Sequence, residues 1–254
     1  MAITTLDGLL TAYQPPRMFH KGSLSFTGTR WGSYWGTAGI PGAGSFDTTL
    51  AGVVLSSTSA KVNGQLPFND AASGSIYLAK FQMKHSSQMS YYLCDRIWHN
   101  GGITITSTSA QTVNSPTWPA RDSNGSTNGD GVLIGVEVSS NTGAGTPTLT
   151  ISYTNSAGVS SRTATNKNYP TTASSTANAF FPLTLQGNDR GVRSVQSFTL
   201  SATWTSGTIN LVAYRIISTI DGPSGIAIND AISSGMPIMY NGSVPFILMG
   251  PNGS

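Results

Sequence analysis

The chain has 254 residues, of which 9% are charged and 38% hydrophobic, and thirteen basic against ten acidic side chains give a formal charge of +3. An ordinary soluble domain is about 25% charged; here Ser, Thr, Gly and Asn stand in for the missing charge, while five Trp, nine Tyr and nine Phe supply a real core and exclude disorder by composition. The basic residues form no run, which argues against a dedicated nucleic-acid surface, and no segment reaches the roughly 20 apolar residues that span a bilayer as a helix.

The first residues, Met1-Ala2-Ile3-Thr4-Thr5-Leu6, have neither the basic start nor the apolar run of a secretory signal, so the expectation is a protein made and folded in a cytoplasm. Thr5 followed by Leu6, Leu9 and Leu10 predicts a short helix capped by the Thr5 hydroxyl, and Pro15 ends it because the residue before proline avoids helical angles. The rest of residues 1–45 reads as an irregular arm anchored by Trp31, Tyr34 and Trp35.

Residues 46–217 read as one β domain of repeated short strands. Residues 75–81 and 89–98 are joined by Ser86-Ser87-Gln88, which fits a hairpin, and residues 103–106 alternate after the turn Asn100-Gly101-Gly102. Strands are also predicted over 132–138, 148–153, 181–185, 195–204 and 208–214, with hairpin turns at Asn155-Ser156-Ala157-Gly158 and Thr205-Ser206-Gly207. No helical period persists for three turns, so the expected fold is all-β, an antiparallel β-sandwich of jelly-roll-like type. Residues 218–254 form a third segment: a short helix carrying Ile226, Ile228, Ala231 and Ile232, ended by Gly235, then a nearly uncharged tail. That tail either folds over the chain's own core or is an arm buried against a neighbouring subunit.

Reactive groups are sparse. Glycoside hydrolysis needs two placed carboxylates, and the chain has one Glu, Glu137, in an apolar strand, with scattered Asp. Cys94, Asp95 and His99 are neighbours in sequence, but a nucleophile triad is a matter of spatial geometry, and no G-x-S-x-G elbow occurs. The lone Cys94, in an apolar run, reads as a buried inert thiol, and His20, His85 and His99 lack zinc spacing. Oxygen-bearing side chains alternate at Asp122, Asn124, Ser126, Asn128 and Asp130, as in a calcium loop. Thr127 and Leu133 stand where an EF-hand requires Gly and Glu, so the competing reading is a turn cluster whose side chains bond their own backbone. No cofactor and no catalytic residue is expected. Arg190, Arg193 and Arg215 are read either as interface groups or as solvated ones.

The segment Leu93-Cys94-Asp95-Arg96-Ile97-Trp98-His99-Asn100-Gly101-Gly102 resembles one found in a family of phage and prophage virion proteins. Further landmarks are Trp118-Pro119-Ala120-Arg121-Asp122, Ser152-Tyr153-Thr154-Asn155-Ser156-Ala157-Gly158, Gly191-Val192-Arg193-Ser194-Val195-Gln196-Ser197 and Ser234-Gly235-Met236-Pro237. The resemblance covers most of the chain and implies a virion structural component without catalytic residues. The expectation is a decoration or cement protein on a phage head, a homotrimer bound to the major capsid protein, with Trp31, Tyr34, Trp35, Met239, Tyr240 and Phe246 in its contacts or else in its core. The alternatives are a tail, collar, baseplate or head-fibre component, a host-surface adhesin using the 122–131 loop, or a depolymerase.

Overall fold

A computed structural model describes residues 5–24, 30–57, 63–86, 88–113, 115–221 and 224–251. In chain order the elements are α1 (Leu6–Ala12), β1 (His20–Lys21), β2 (Trp31–Ser33), β3 (Gly39–Ile40), β4 (Val53–Val54), β5 (Ile76–Tyr77), β6 (Lys80–His85) and β7 (Met89–Asn100). They continue with β8 (Gln111–Thr112), β9 (Val132–Ser140), β10 (Leu149–Asn155), β11 (Arg162–Thr165), β12 (Ala179–Pro182), β13 (Val192–Leu200) and β14 (Thr208–Ile220). The last are β15 (Gly225–Asp230), α2 (Ala231–Ser234), β16 (Ile238–Met239) and β17 (Pro245–Pro251).

The longest strands, β7, β9 and β14, are rich in the β-branched and aromatic residues that suit a pleated surface. They belong to a sheet ordered β14-β9-β12-β2-β17-β7, in which β7 also pairs with β14. The sheet therefore closes on itself as a six-strand antiparallel barrel. Closure leaves these strands without a free edge and gives each of them an inside and an outside.

Alternation assigns the two faces. Leu133, Gly135 and Glu137 of β9 point inward with Phe180, Val212, Tyr214, Phe246 and Leu248, while Val132, Ile134, Val136 and Val138 point outward. The outward set packs against a four-stranded sheet ordered β11-β10-β13-β8, which contributes Leu149, Ile151, Tyr153, Val195, Phe198 and Leu200. Strand β10 buries every second residue, as an antiparallel strand with one solvated face must. Another flank of the barrel, with Tyr91, Leu93, Ile247 and Met249, is covered by the two-stranded ribbon β6–β15, through Phe81, Met83 and Ala227, and by β5–β16.

The all-β expectation is what the chain adopts, but the main sheet closes into a barrel where an open sandwich was expected. The three expected segments are not separate units, because the barrel takes β2 from the first and β17 from the last. The tail follows the first of its two alternatives: β17 lies between β2 and β7 of its own chain. The predicted N-terminal helix is present over Leu6–Ala12, and Thr5 Oγ1 accepts from Gly8 N at 3.0 Å.

Four local expectations are corrected. Strand β6 pairs with β15 and not with β7, so the 86–88 connection is no hairpin between neighbours; Ser87 lies outside the described residues, as do Met1 to Thr4. The turn at 205–207 carries the chain from the four-stranded sheet to the barrel, not between paired strands. Residues 103–106 are irregular although Ile103 and Ile105 are buried. Ile226 and Ile228 sit on a strand, since pairing with β6 supplies backbone partners that a short helix would leave open, and only Ala231–Ser234 is helical. Gly235 ends that helix in the left-handed conformation, as expected.

Candidate functional site

The segment around Cys94 explains itself once it is laid on the barrel wall. Cys94 and Arg96 point inward, and Asp95 points outward. Opposite the step from Ala213 to Tyr214, β7 carries one extra residue, Ile97, in a β-bulge. The bulge shifts the alternation by one place, so His99 joins Arg96 inside the barrel while Trp98 faces outward.

Inside the barrel, Arg96 Nη2 lies 2.7 Å from Glu137 Oε2, and both side chains are wholly buried. The guanidinium stands 4.5 Å from the centre of the Trp35 ring and 5.3 Å from that of Phe246, so its flat faces meet aromatic π-clouds. His99 Nδ1 accepts from Arg96 Nη2 at 3.0 Å and from Nε at 3.3 Å. Burial drives the guanidinium pKa down and the Glu137 charge opposes it. Burial, helped by the neighbouring Arg96 charge, pushes His99 down to about 2, so the imidazole is neutral at any physiological pH. Gly135 leaves room for the Phe180 ring, which a Cβ at that position would overlap.

On the outer side, Asp95 ties the strand to the turn before β17. Its Oδ1 accepts from Val244 N at 2.9 Å, its Oδ2 accepts from Ser243 Oγ at 3.0 Å, and Arg121 Nη1 stands 3.5 Å from Oδ1. Arg121 also donates to the carbonyls of Gly242 and Leu55. Arg215 donates to Ile238 O at 3.2 Å and lies 5.2 Å from the Tyr240 ring centre. These three charges join β7, β14 and the 238–244 connection.

The triad reading fails on geometry. Cys94 and Asp95 project to opposite faces of one strand, burial raises the thiol pKa well above its usual value, and the His99 nitrogen facing Arg96 already accepts its hydrogen bonds. Among the described residues, no three His, Cys, Asp or Glu side chains converge as a metal site would require.

The 122–131 loop takes the form of the turn cluster. The Asp122 carboxylate accepts from the backbone N–H groups of Asn124, Ser126, Gly129 and Asp130 and from the Ser126 hydroxyl, at 2.7 to 3.1 Å. Those hydrogen bonds outweigh burial and hold the carboxyl below its usual pKa. Asn124 Nδ2 donates to Asp130 Oδ2, and Ser126 Oγ accepts from Asn128 N, so the side chains of Asp122, Asn124, Ser126 and Asp130 bond within the loop, while Asn128 takes part through its backbone. A second acidic hub, Asp189, accepts from Tyr153, Asn155 and Arg162 and is held at about 2, chiefly by Arg162. The first hub is the turn cluster that Asx residues and Gly in 122–131 suggest; the second was not legible, because Asp189 meets its partners from β10 and β11 only in the folded sheet.

The six residues expected in contacts or else in the core follow the second alternative within the single chain. Trp35, Met239 and Phe246 are buried in the chain's own core, and Trp31, Tyr34 and Tyr240 are half-buried against it. Trp31 stacks on Tyr92 with ring centres 4.7 Å apart, and Tyr240 covers Arg215. Aromatic residues in an uncharged, Gly-rich stretch fit a barrel strand as well as an exposed arm, and closure of the barrel decides between them.

A shallow depression of about 260 Å³ lies between residues 45–47 and 53–56, with His99 at its floor. Its one carboxylate, Asp47, already accepts from Thr49 and from Gly101 N. Large apolar side chains stand in solvent on and just after α1 (Leu6, Leu10, Tyr13, Met18) and on or beside the ribbon (Tyr77, Ile226, Ile228, Ile232), with others scattered at Ile40, Val53 and Val159. Searches against family models, curated proteins and solved structures returned no match to this chain.

Proposed function

We propose that the chain is a structural subunit of a tailed-phage virion, a decoration or cement protein that binds the outside of the head as a homotrimer and reinforces contacts between major capsid proteins. The observation that carries this reading is a division of labour among side chains. The buried charges of the barrel wall hold strands together, while large apolar groups stand exposed on α1 and the ribbon. A surface with so few charges loses little hydration when it meets another surface. Ligation to an assembled shell adds stability to that shell alone, by mass action. The resemblance of residues 93–102 and the later landmarks to virion proteins points the same way.

The test is addition of purified protein to shells that lack it, followed by heating or osmotic shock, with the bound copies counted by quantitative mass spectrometry. Hundreds of copies per particle and a raised shell melting temperature are expected. A dozen copies or fewer would move the protein to the tail or collar, and turnover of a capsular polysaccharide by the purified chain would end the structural reading.

A further inference from the structure

We infer that the N-terminal arm of one copy docks on the outer face of the β6–β15 ribbon of a second copy. The inference rests on the reading above only in that the chain works through subunit contacts; it names which two surfaces meet.

The arm is built to leave its own body. Helix α1 buries none of its residues, and a helix this short is marginal in water without a partner. Leu6, Leu10 and Tyr13 recur on one face, and Leu6 and Leu10 are 70% and 66% exposed. Residues 13–19 carry no secondary structure and are solvent-facing up to Phe19, with Met18 at 86%. Pro15-Pro16 favours an extended path, and at about 3.3 Å per residue the linker reaches roughly 20 Å from β1.

The ribbon offers the complementary surface. Its inner face packs through Phe81, Met83 and Ala227, and its outer face carries Ile226 and Ile228, 63% and 53% exposed, with Ile232 at 94% just beyond. Register places Lys84 directly across from Ile226 and Gln82 across from Ile228, on the same face. The only charge on α1 is Asp7, beside Leu6; on the ribbon's outer face Asp230 lies across from Lys80, and Lys84, across from Ile226, is the basic group set among the apolar side chains. An apolar helix with one negative charge and a ribbon whose apolar patch is flanked by Lys84 therefore occur on the same chain, and each copy can give its arm to one neighbour and receive one from another. Such an exchange closes as a reciprocal pair or a ring where the rotation between copies allows it, and otherwise runs on as an open chain of copies.

Two full-length variants test it, Leu6→Asp with Leu10→Asp on the arm, and Ile226→Asp with Ile228→Asp on the ribbon. None of these side chains is buried, so both variants should keep the wild-type circular dichroism and melting temperature. In sedimentation velocity the wild type is expected to be oligomeric and each variant monomeric. An equimolar mixture of the two should form a one-to-one complex, since the ribbon variant's intact arm meets the arm variant's intact ribbon. Asp7→Lys should weaken self-association about two- to fivefold, and Lys84→Asp in the same chain should restore it. A monomeric wild type, variants that stay oligomeric, or a mixture that stays monomeric overturns the inference. A monomeric wild type that still binds shells would sink this contact and leave the head-binding reading standing; an oligomer that ignores shells would do the reverse.

Discussion

Arg96 and Glu137 illustrate what a buried charge demands. Removing either partner leaves the other without compensation in a water-free interior, whereas removing both lets apolar packing replace the pair. Glu137→Gln is expected to cost about 3–5 kcal/mol in urea denaturation, and Arg96→Met combined with Glu137→Leu much less than that. His99 adds a pH dependence of definite sign. Its folded pKa, about 2, lies below the ordinary imidazole value, so on acidification the unfolded chain takes up a proton that the native state refuses. The contribution of neutral His99 is complete above about pH 6.5 and falls as the pH is lowered, with a slope approaching 1.4 kcal/mol per unit, about one proton's worth. Denaturation midpoints measured between about pH 6 and 5 should lose most of that slope in His99→Gln.

At the scale of an element, the 122–131 loop and the bulge on β7 carry the instructive lessons. One carboxylate organises the loop by accepting from four backbone N–H groups and a hydroxyl. Asp122→Ala leaves those donors unpaired, at about 1–3 kcal/mol for each one left buried. The melting temperature should fall by about 2–4 °C per kcal/mol lost. A calcium chelator should leave the wild-type melting curve in place; a downward shift would restore the ion-binding reading. The alternation of polar oxygens was legible in the sequence, but whether they face a cation or their own amides depends on backbone direction, which composition does not encode. The bulge at Ile97 was equally silent, because one extra residue in a strand changes nothing in the sequence pattern and everything in which side chains share a face.

At the scale of the whole molecule, the barrel is closed by strands from near both ends of the chain, β2 and β17, lying side by side. Ending the chain after Ser243 removes β17, exposes the edges of β2 and β7, and opens the interior to water. Such a truncated protein should lose cooperative thermal unfolding by calorimetry, while hydrogen exchange in the intact protein should be slowest in β7 and β14, which share the longest ladder of the barrel. A contact between chain ends closes a very long loop, which slows folding.

From sequence alone come the all-β class, the capped helix at Leu6–Ala12, a strand over 148–153, the Gly235 stop and the burial of Cys94, because each follows from periodicity or from the backbone preference of a few adjacent residues. Tertiary structure alone decided that the sheet closes, that Trp35 and Phe246 enclose Arg96, and that Ile226 and Ile228 belong to a strand. The physical reason is the same for all three. Strand partners distant in sequence choose one another by satisfying backbone hydrogen bonds and filling a shared interior, and no local stretch records which partner it will meet.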